Sequence, residues 1–259
     1  MSVRKDVEVA APVRLQTHVW NPAGDRRALL VHGLCSDGAC WWRLASELAD
    51  DGWLVLAPDL RGHGRSPPGA AYDLPTLAGD VATLGDGWDL LVGHSLGGAI
   101  AAHLLARSGA ADAALLIDPL LQLTPERDTE LRAALRAEAG GLAPAVVAAA
   151  NPDWDERDVW RKVLATRQVT PDVVDAVLDG MKGVDLAPSA GRWQARVHLL
   201  AADPARGGLL DASLAASLAD GERITWELVA GAGHSLHRER PDVVRAALLR
   251  VLGAGGAGG

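Results

Sequence analysis

The feature that most constrains this chain is a serine set between closely spaced glycines, at the junction of two apolar segments. Residues 93–98 read Gly-His-Ser-Leu-Gly-Gly, directly after the largely apolar residues 89–92 and before the alanine-rich residues 99–106. The pattern G-x-S-x-G is typical of a sharp turn from a strand into a helix, which raises the serine hydroxyl to the top of a sheet. Glycines on either side of Ser95 leave room for strand and helix to approach closely. Ser95 is therefore the candidate nucleophile.

Short strand-like runs alternate with helical patterns through most of the chain, which predicts a mostly parallel sheet with helices on both faces. The predicted strands are residues 7–9 and 13–20, as an opening hairpin, then 27–31, 53–57, 88–92, 113–117, 196–201 and 223–229. The predicted helices of this layer are residues 39–50, 74–84, 96–107, 212–219 and 241–252. At 259 residues the chain is long enough to bury one large core.

Residues 119–192 interrupt the alternation, because they read as helical with no strand-like run. Thr124-Pro125-Glu126 and Thr170-Pro171-Asp172 each place a polar cap before a proline at the first helical position. The segment is too long for a simple connection, so we expect a helical cap inserted after the sixth predicted strand. The predicted domains are a core of residues 1–118 and 193–252, a cap of residues 119–192, and a disordered glycine-rich tail of residues 253–259.

Composition argues against several classes of protein. The formal net charge is −8 and there is no basic stripe, so a nucleic-acid partner is not expected. No apolar run approaches the roughly 20 residues that cross a membrane, and no signal-peptide pattern opens the chain, so we expect a cytoplasmic protein without a membrane partner.

Cys35 and Cys40 do not form a C-x-x-C motif, and no zinc-ligand spacing occurs. We interpret both cysteines as buried hydrophobes and predict no metal.

A serine hydroxyl is a weak nucleophile until a base takes its proton, so Ser95 needs a histidine and a group that orients it. In this architecture the order along the chain is nucleophile, acid and histidine. Three histidines follow the predicted cap. His198 lies inside a predicted strand, whereas His234 lies in the loop Gly231-Ala232-Gly233-His234-Ser235, between the last strand and the last helix. We predict that His234 is the base, with His237 as the alternative.

Two aspartates compete for the role of the acid. Asp203 follows the predicted strand 196–201, at the carboxyl end where the acid of a triad is expected, and it is our first assignment. Asp118 also ends a strand, residues 113–117, and is the alternative. Each aspartate precedes a proline, and such a pair also serves as a turn that stops a strand.

Catalysis at a carbonyl also needs backbone N–H groups directed at the charge that develops on its oxygen. Leu96 offers one such group at the start of a predicted helix, where the helix dipole favours negative charge. The second is expected from the loop His32-Gly33-Leu34-Cys35, at Leu34. Cys35 in this loop is a conceivable thiol nucleophile, but the serine turn elsewhere in the chain disfavours that role.

Together these motifs resemble the α/β-hydrolase superfamily over residues 1–252. The matching segments arrive in the family's order: His32-Gly33-Leu34, Asp59 to Ser66, Gly93 to Gly98, Asp203 and Gly233-His234. The resemblance implies a mostly parallel twisted sheet of about eight strands with helices on both faces. It also implies a Ser-His-Asp hydrolase without metal or cofactor, in which Ser95 attacks, His234 is the base and Asp203 holds the imidazole. Ala201-Ala202 departs from the glycine that relatives usually carry before the acid, which keeps Asp118 open.

The leading interpretation is hydrolysis of a carboxylic ester or lactone, with a small to medium, largely apolar substrate, because the predicted cap is rich in Ala, Leu and Val. One rival is hydrolysis of a carbon–carbon bond in a diketone-like acid, which would require a cationic clamp such as Arg161 or Arg192. Thioester hydrolysis is a further alternative. A rival of another class is a ligand-binding protein that keeps the hydrolase shape without turnover. The sequence does not predict the oligomeric state.

Overall fold

The computed structural model describes residues 11–107 and 109–253, and its described strands form one sheet. The strands are β1 (Thr17–Trp20), β2 (Arg26–Val31), β3 (Trp53–Pro58), β4 (Trp88–His94), β5 (Ala111–Ile117), β6 (Arg196–Ala202) and β7 (Ile224–Val229). Their order across the sheet is β1-β3-β2-β4-β5-β6-β7. The pair β1 with β3 is antiparallel, and the other neighbouring pairs are parallel. The predicted mostly parallel sheet is confirmed.

Helices cover both faces of this sheet. The described α-helices are α1 (Trp42–Asp50), α2 (Leu74–Ala82), α3 (Leu96–Leu105), α4 (Pro125–Glu138), α5 (Pro144–Ala150), α6 (Glu156–Arg167), α7 (Pro171–Gly180), α8 (Ala212–Leu218), α9 (Leu236–Glu239) and α10 (Pro241–Gly253). Successive residues of a strand point to opposite faces. In β4, Leu91 therefore packs with α2 and α3, while Leu90 and Val92 pack with α1 and α10. The central strands are buried on both sides, as their continuous apolar sequences predict.

The edge of the sheet differs from the sequence-based prediction. The predicted strand 13–20 is a strand only over Thr17–Trp20. Before it, side chains take the place of a neighbouring strand: the Val13 N–H donates to Asp80 Oδ1 at 2.8 Å, and the Gln16 N–H donates to Ser66 Oγ at 2.8 Å. The other half of the predicted hairpin, residues 7–9, lies outside the described residues.

Between β5 and β6 the chain forms the four helices α4 to α7. The helix starts predicted at Thr124 and Thr170 are confirmed, because the threonine hydroxyls accept hydrogen bonds from the N–H groups of Arg127 and Val173. At the other end of the chain, Gly253 is the last residue of α10 rather than part of a tail, and residues 254–259 lie outside the described residues. Among the described helices, none combines the length and apolar character that a membrane span requires.

Candidate active site

Ser95 occupies the turn that joins β4 to α3, with a backbone φ of 55°. This left-handed conformation is costly for a residue with a side chain, so neighbouring contacts have to hold it. The Ser95 N–H donates to the Ile117 carbonyl at 3.1 Å. The Ser95 carbonyl accepts from the N–H groups of Ala99 at 3.0 Å and Leu120 at 3.1 Å. The serine is thus fixed at the carboxyl end of the central strands.

The glycines around Ser95 have the steric role that the motif predicts. A methyl group on Gly97 would lie 2.1 Å from the carbonyl oxygen of Val31, and one on Gly93 would lie 2.4 Å from the carbonyl oxygen of Gly97. Neither distance leaves room for a side chain. The first turn of α3 therefore rests directly on the backbone of β2 and β4, which brings the N-terminus of the helix under Ser95.

His234 lies in the loop after β7, and its imidazole pairs with Asp118. Its Nδ1 donates to Asp118 Oδ2 at 2.6 Å, and the aspartate is fully buried. Backbone N–H groups supply three more hydrogen bonds to this carboxylate. Ala202 and Leu210 donate to Oδ1 at 3.2 and 3.0 Å, and Leu209 donates to Oδ2 at 2.9 Å. These donors offset the cost of burying the carboxylate and fix its orientation toward the imidazole.

This geometry corrects our preference for Asp203 as the acid. The Asp203 carboxylate takes its hydrogen bonds from the N–H groups of Ala205 at 2.9 Å and Gly231 at 2.7 Å, instead of from His234. The bond from Gly231, followed by that from Ala205, lowers the pKa of Asp203 from its ordinary value. The physical reason is positional: Asp203 caps the short turn that follows β6, whereas the carboxylate facing His234 comes from the end of the adjacent strand β5. The alternative, Asp118, is the residue that meets the histidine.

Two further histidines pack beside His234 and are held neutral. The His94 and His234 ring centroids are 4.5 Å apart, and those of His94 and His237 are 4.6 Å apart. Burial lowers the pKa of both His94 and His237 well below the ordinary value. His94 Nε2 donates to the His234 carbonyl at 3.0 Å, so His94 helps to position the loop. The ring of His237, the alternative base, packs at a tilt on Trp41 with centroids 4.8 Å apart, and His237 is not among the described residues that line the cavity containing Ser95.

The loop that carries Leu34 passes directly over Ser95. A methyl group on Gly33 would lie 3.0 Å from Ser95 Cβ, so the two backbones are in close contact there. Leu34 and Leu96 both line the cavity in front of the serine. Leu96 is the first residue of α3, and an N–H at this position has no acceptor within its own helix. The segments that carry the two predicted oxyanion donors therefore both lie beside Ser95 in the cavity wall.

His32 holds this loop from below. Its Nε2 accepts the Leu60 N–H at 2.9 Å, and its Nδ1 donates to the Gly33 carbonyl at 2.7 Å. Because Nε2 accepts a hydrogen bond, the imidazole is neutral, and burial lowers the pKa of His32 to about 4. The loop conformation near Ser95 is therefore tied to an uncharged histidine.

Ser95 and His234 open into a cavity of about 540 Å³. Helices α4 to α7 supply much of its apolar wall, including Leu131, Leu135, Leu142, Val147, Trp154 and Leu178. Its described cationic side chains are Lys162, which pairs with Glu138 of the same wall at 2.5 Å, Arg206, which pairs with Glu239 of the wall at 3.5 Å, and Arg238.

The sequence-based candidates for a cationic clamp, Arg161 and Arg192, are not among the described residues that line this cavity. Arg238, which does line the cavity, is not among the residues that the sequence predicts for the site. No local pattern in the sequence singles it out, because its partner Ser36 lies 202 positions away.

Both cysteines lie in apolar surroundings near the site. Burial raises the pKa of the Cys35 thiol, and that of the Cys40 thiol, to about 12. Because the thiolate is the reactive form, neither residue is activated as a nucleophile. This environment agrees with their interpretation as small buried hydrophobes.

The chain is similar in sequence to proteins of a known family. The sequence model of the Alpha/beta hydrolase family matches residues 28–247. Lipase LipV of Mycobacterium tuberculosis (strain ATCC 25618 / H37Rv) is 36% identical over 172 residues, which cover 64% of this chain and 61% of the lipase. The chain thus matches about three fifths of the length of that relative.

Solved structures with the same architecture span nearly the whole chain. E-2-(acetamidomethylene)succinate hydrolase superposes with a TM-score of 0.78 at 20% identity, covering 93% of this chain and all of that one. The enol-lactonase from Burkholderia xenovorans LB400 superposes with a TM-score of 0.75 at 20% identity, covering 94% of this chain and 99% of that one. At this identity the likeness concerns the fold alone.

Proposed function

The chain belongs to the α/β-hydrolase family, and from this premise we propose that it is a serine hydrolase that cleaves a carboxylic ester or a lactone through an acyl-enzyme. The observation that carries the proposal is the 2.6 Å hydrogen bond from His234 Nδ1 to Asp118 Oδ2, beside Ser95 in one cavity. A carboxylate can only accept here, so Nδ1 carries the proton and Nε2 remains basic. His234 is thus in the tautomer that can take a proton from a serine.

In the proposed reaction the Ser95 hydroxyl oxygen attacks the carbonyl carbon while His234 Nε2 takes its proton. Asp118 stabilises the imidazolium that forms. The negative charge on the carbonyl oxygen is met by the N–H groups of Leu34 and Leu96. His234 then returns the proton to the leaving oxygen, which departs as an alcohol. Water, activated by the same imidazole, attacks the acyl-enzyme and releases the acid.

The cavity supports a small to medium substrate with an apolar part. A volume of about 540 Å³ lies within the range of small-molecule sites, and leucine and valine side chains form much of its wall. The relation to lipase LipV favours ester bonds as the target. A lactone is the cyclic form of the same bond, and the proposed mechanism opens it without any additional group.

The first test is covalent labelling of Ser95. Intact protein is treated with a fluorophosphonate, and its mass is measured beside turnover of p-nitrophenyl acetate and butyrate. We expect one adduct on the wild type, and loss of both the adduct and turnover in Ser95→Ala. Ser235→Ala is the matched control, because Ser235 is another serine of the cavity wall, and it should keep the adduct.

Folded wild-type protein that neither takes the label nor hydrolyses the esters would contradict the proposal. The ligand-binding alternative would then be favoured, since it needs the cavity but not a reactive serine.

A further inference from the structure

Arg238 is a buried cation in the wall of the substrate cavity. Only 4% of the surface of Arg238 is exposed to solvent. Nη2 donates to Ser36 Oγ at 3.1 Å, and Cζ lies 4.8 Å from the ring centroid of Trp154. Ser36 and Trp154 also line the cavity, so the guanidinium is held between two residues of the same wall. A side chain fixed in this way keeps its charge at one place in the cavity.

The charge of Arg238 differs from that of the other cations in this wall. Lys162 and Arg206 each pair with a glutamate of the cavity. Arg238 has no ion pair with a carboxylate of the described chain, and its Nε has no hydrogen-bond partner there. A guanidinium carries five N–H donors, and the bond to Ser36 uses one. Donors of a buried cation are costly to leave without acceptors, so this side chain is suited to meet an anion.

Two buried carboxyl groups lie near Arg238 but do not occupy its donors. The positive charge of Arg238 acts electrostatically on Asp37 and Asp158. Neither carboxyl group forms an ion pair with Arg238, and neither belongs to the described cavity wall. Asp158 instead accepts from Trp42 Nε1 at 2.9 Å and lies 3.8 Å from Arg43. Burial raises the pKa of both carboxyl groups, and the positive charge of Arg238 opposes that rise from a distance.

We propose that Arg238, fixed by Ser36, forms a subsite for a carboxylate of the substrate. The preferred substrates would then be esters or lactones that carry a carboxylate apart from the bond that is cleaved, with an apolar spacer along the leucine-rich wall. A guanidinium matches the geometry of a carboxylate with two parallel N–H donors, which makes the contact selective as well as strong. This inference rests on the proposed function, and it identifies the substrate class.

The test compares two substrates that differ in one charge: mono-p-nitrophenyl adipate and its methyl ester. We expect the wild type to have the higher kcat/KM for the anionic ester. Arg238→Gln should reduce the ratio of kcat/KM for the anionic ester to kcat/KM for the neutral ester by about tenfold or more. Arg238→Lys should retain part of the preference for the anionic ester. Arg206→Gln is the matched control and should keep the ratio, because Arg206 already pairs with Glu239.

Equal kcat/KM values for the two esters in the wild type would overturn the subsite even if a substituted protein failed to fold. An equal loss for both esters in Arg238→Gln would assign Arg238 a structural role instead, and would also overturn it.

Calorimetry separates this proposal from the hydrolase proposal. In the Ser95→Ala background, monomethyl adipate should bind more tightly than dimethyl adipate, and the added Arg238→Gln change should remove the difference. If this binding is found but the wild type hydrolyses neither ester, the subsite stands and the proposed function fails. If hydrolysis is found without any preference for the monoanion, the proposed function stands and the subsite fails.

Discussion

The Asp118 carboxylate accepts the Nδ1–H of His234 across 2.6 Å, although 116 positions separate the two residues in the chain. Its remaining hydrogen bonds come from backbone N–H groups at and beyond the end of β6. The carboxylate is therefore oriented by the main chain before any substrate enters, which is the arrangement expected of a group that must fix an imidazole in one tautomer.

Removing the charge of Asp118 should impair catalysis far more than the same change at Asp203. We expect Asp118→Asn to lower kcat/KM for p-nitrophenyl butyrate by about 10⁴-fold, because an amide favours the wrong imidazole tautomer. Asp203→Asn is the matched control, and its kcat/KM should fall by no more than about threefold. The Asp203 carboxylate accepts hydrogen bonds only from backbone N–H groups of two loops among its described contacts. The reverse ranking would restore Asp203 as the acid.

The close approach of α3 to β2 predicts a large steric cost at Gly97. Gly97→Ala would place a methyl group 2.1 Å from the Val31 carbonyl oxygen, so its free energy of unfolding should fall by about 3 kcal/mol or more. Gly79 lies within α2, and a methyl group added there would have no neighbouring atom within 4 Å. Gly79→Ala should therefore raise the free energy of unfolding by about 0.5–1 kcal/mol. Urea denaturation of both variants tests this contrast. Equal stabilities would mean that the helix can shift away from the strand.

Buried histidines predict that the protein loses stability in mild acid. Burial lowers the pKa of His32 to about 4 and that of His63 to about 3, whereas both titrate near 6.5 when unfolded. The unfolded chain therefore binds protons that the folded chain does not. As the pH falls below about 6.5, each histidine should lower the free energy of unfolding by up to about 1.4 kcal/mol per pH unit, until its folded pKa is reached.

This dependence is measured by urea denaturation at neutral pH and at about pH 5. His63→Gln should have a shallower dependence than the wild type, because one of the buried imidazoles is then absent. A slope that does not change would show that His63 titrates normally in the folded protein.

The raised thiol pKa values predict unreactive cysteines in the folded protein. With the pKa of Cys35 and of Cys40 at about 12, iodoacetamide should leave both thiols unmodified at neutral pH, and should label both in urea. Intact mass counts the adducts. Rapid labelling of Cys35 in the native protein would instead indicate an activated thiol beside Leu34, and Cys35→Ala would then be expected to lose activity.

The turn at Ser95 and the position of His234 could be predicted because their signals are local. Glycines at fixed offsets, an apolar strand and a small-residue helix all lie within residues 89–106. His234 follows the last strand and precedes the last helix, so the order of elements alone places it at the carboxyl edge of the sheet.

The choice of the acid depended on geometry that the sequence does not encode locally. Asp118 and Asp203 both follow neighbouring parallel strands and both precede a proline. Asp118 adopts a φ of 40°, and its carboxylate meets N–H groups that lie 84 to 92 positions away. Arg238 presents the same difficulty, since its partner Ser36 is 202 positions away. Contacts of this range depend on how the whole chain packs.

The long span of the Asp118 hydrogen bonds has a consequence for biosynthesis. Asp118 precedes the helices α4 to α7 in the chain, whereas Ala202, Leu209, Leu210 and His234 all follow them. A nascent or truncated chain that ends before β7 can contain Ser95 and its glycines, yet it lacks the imidazole. Formation of the His234–Asp118 pair therefore requires that β5, β6 and β7 have come together, so it reports on the assembly of this half of the sheet.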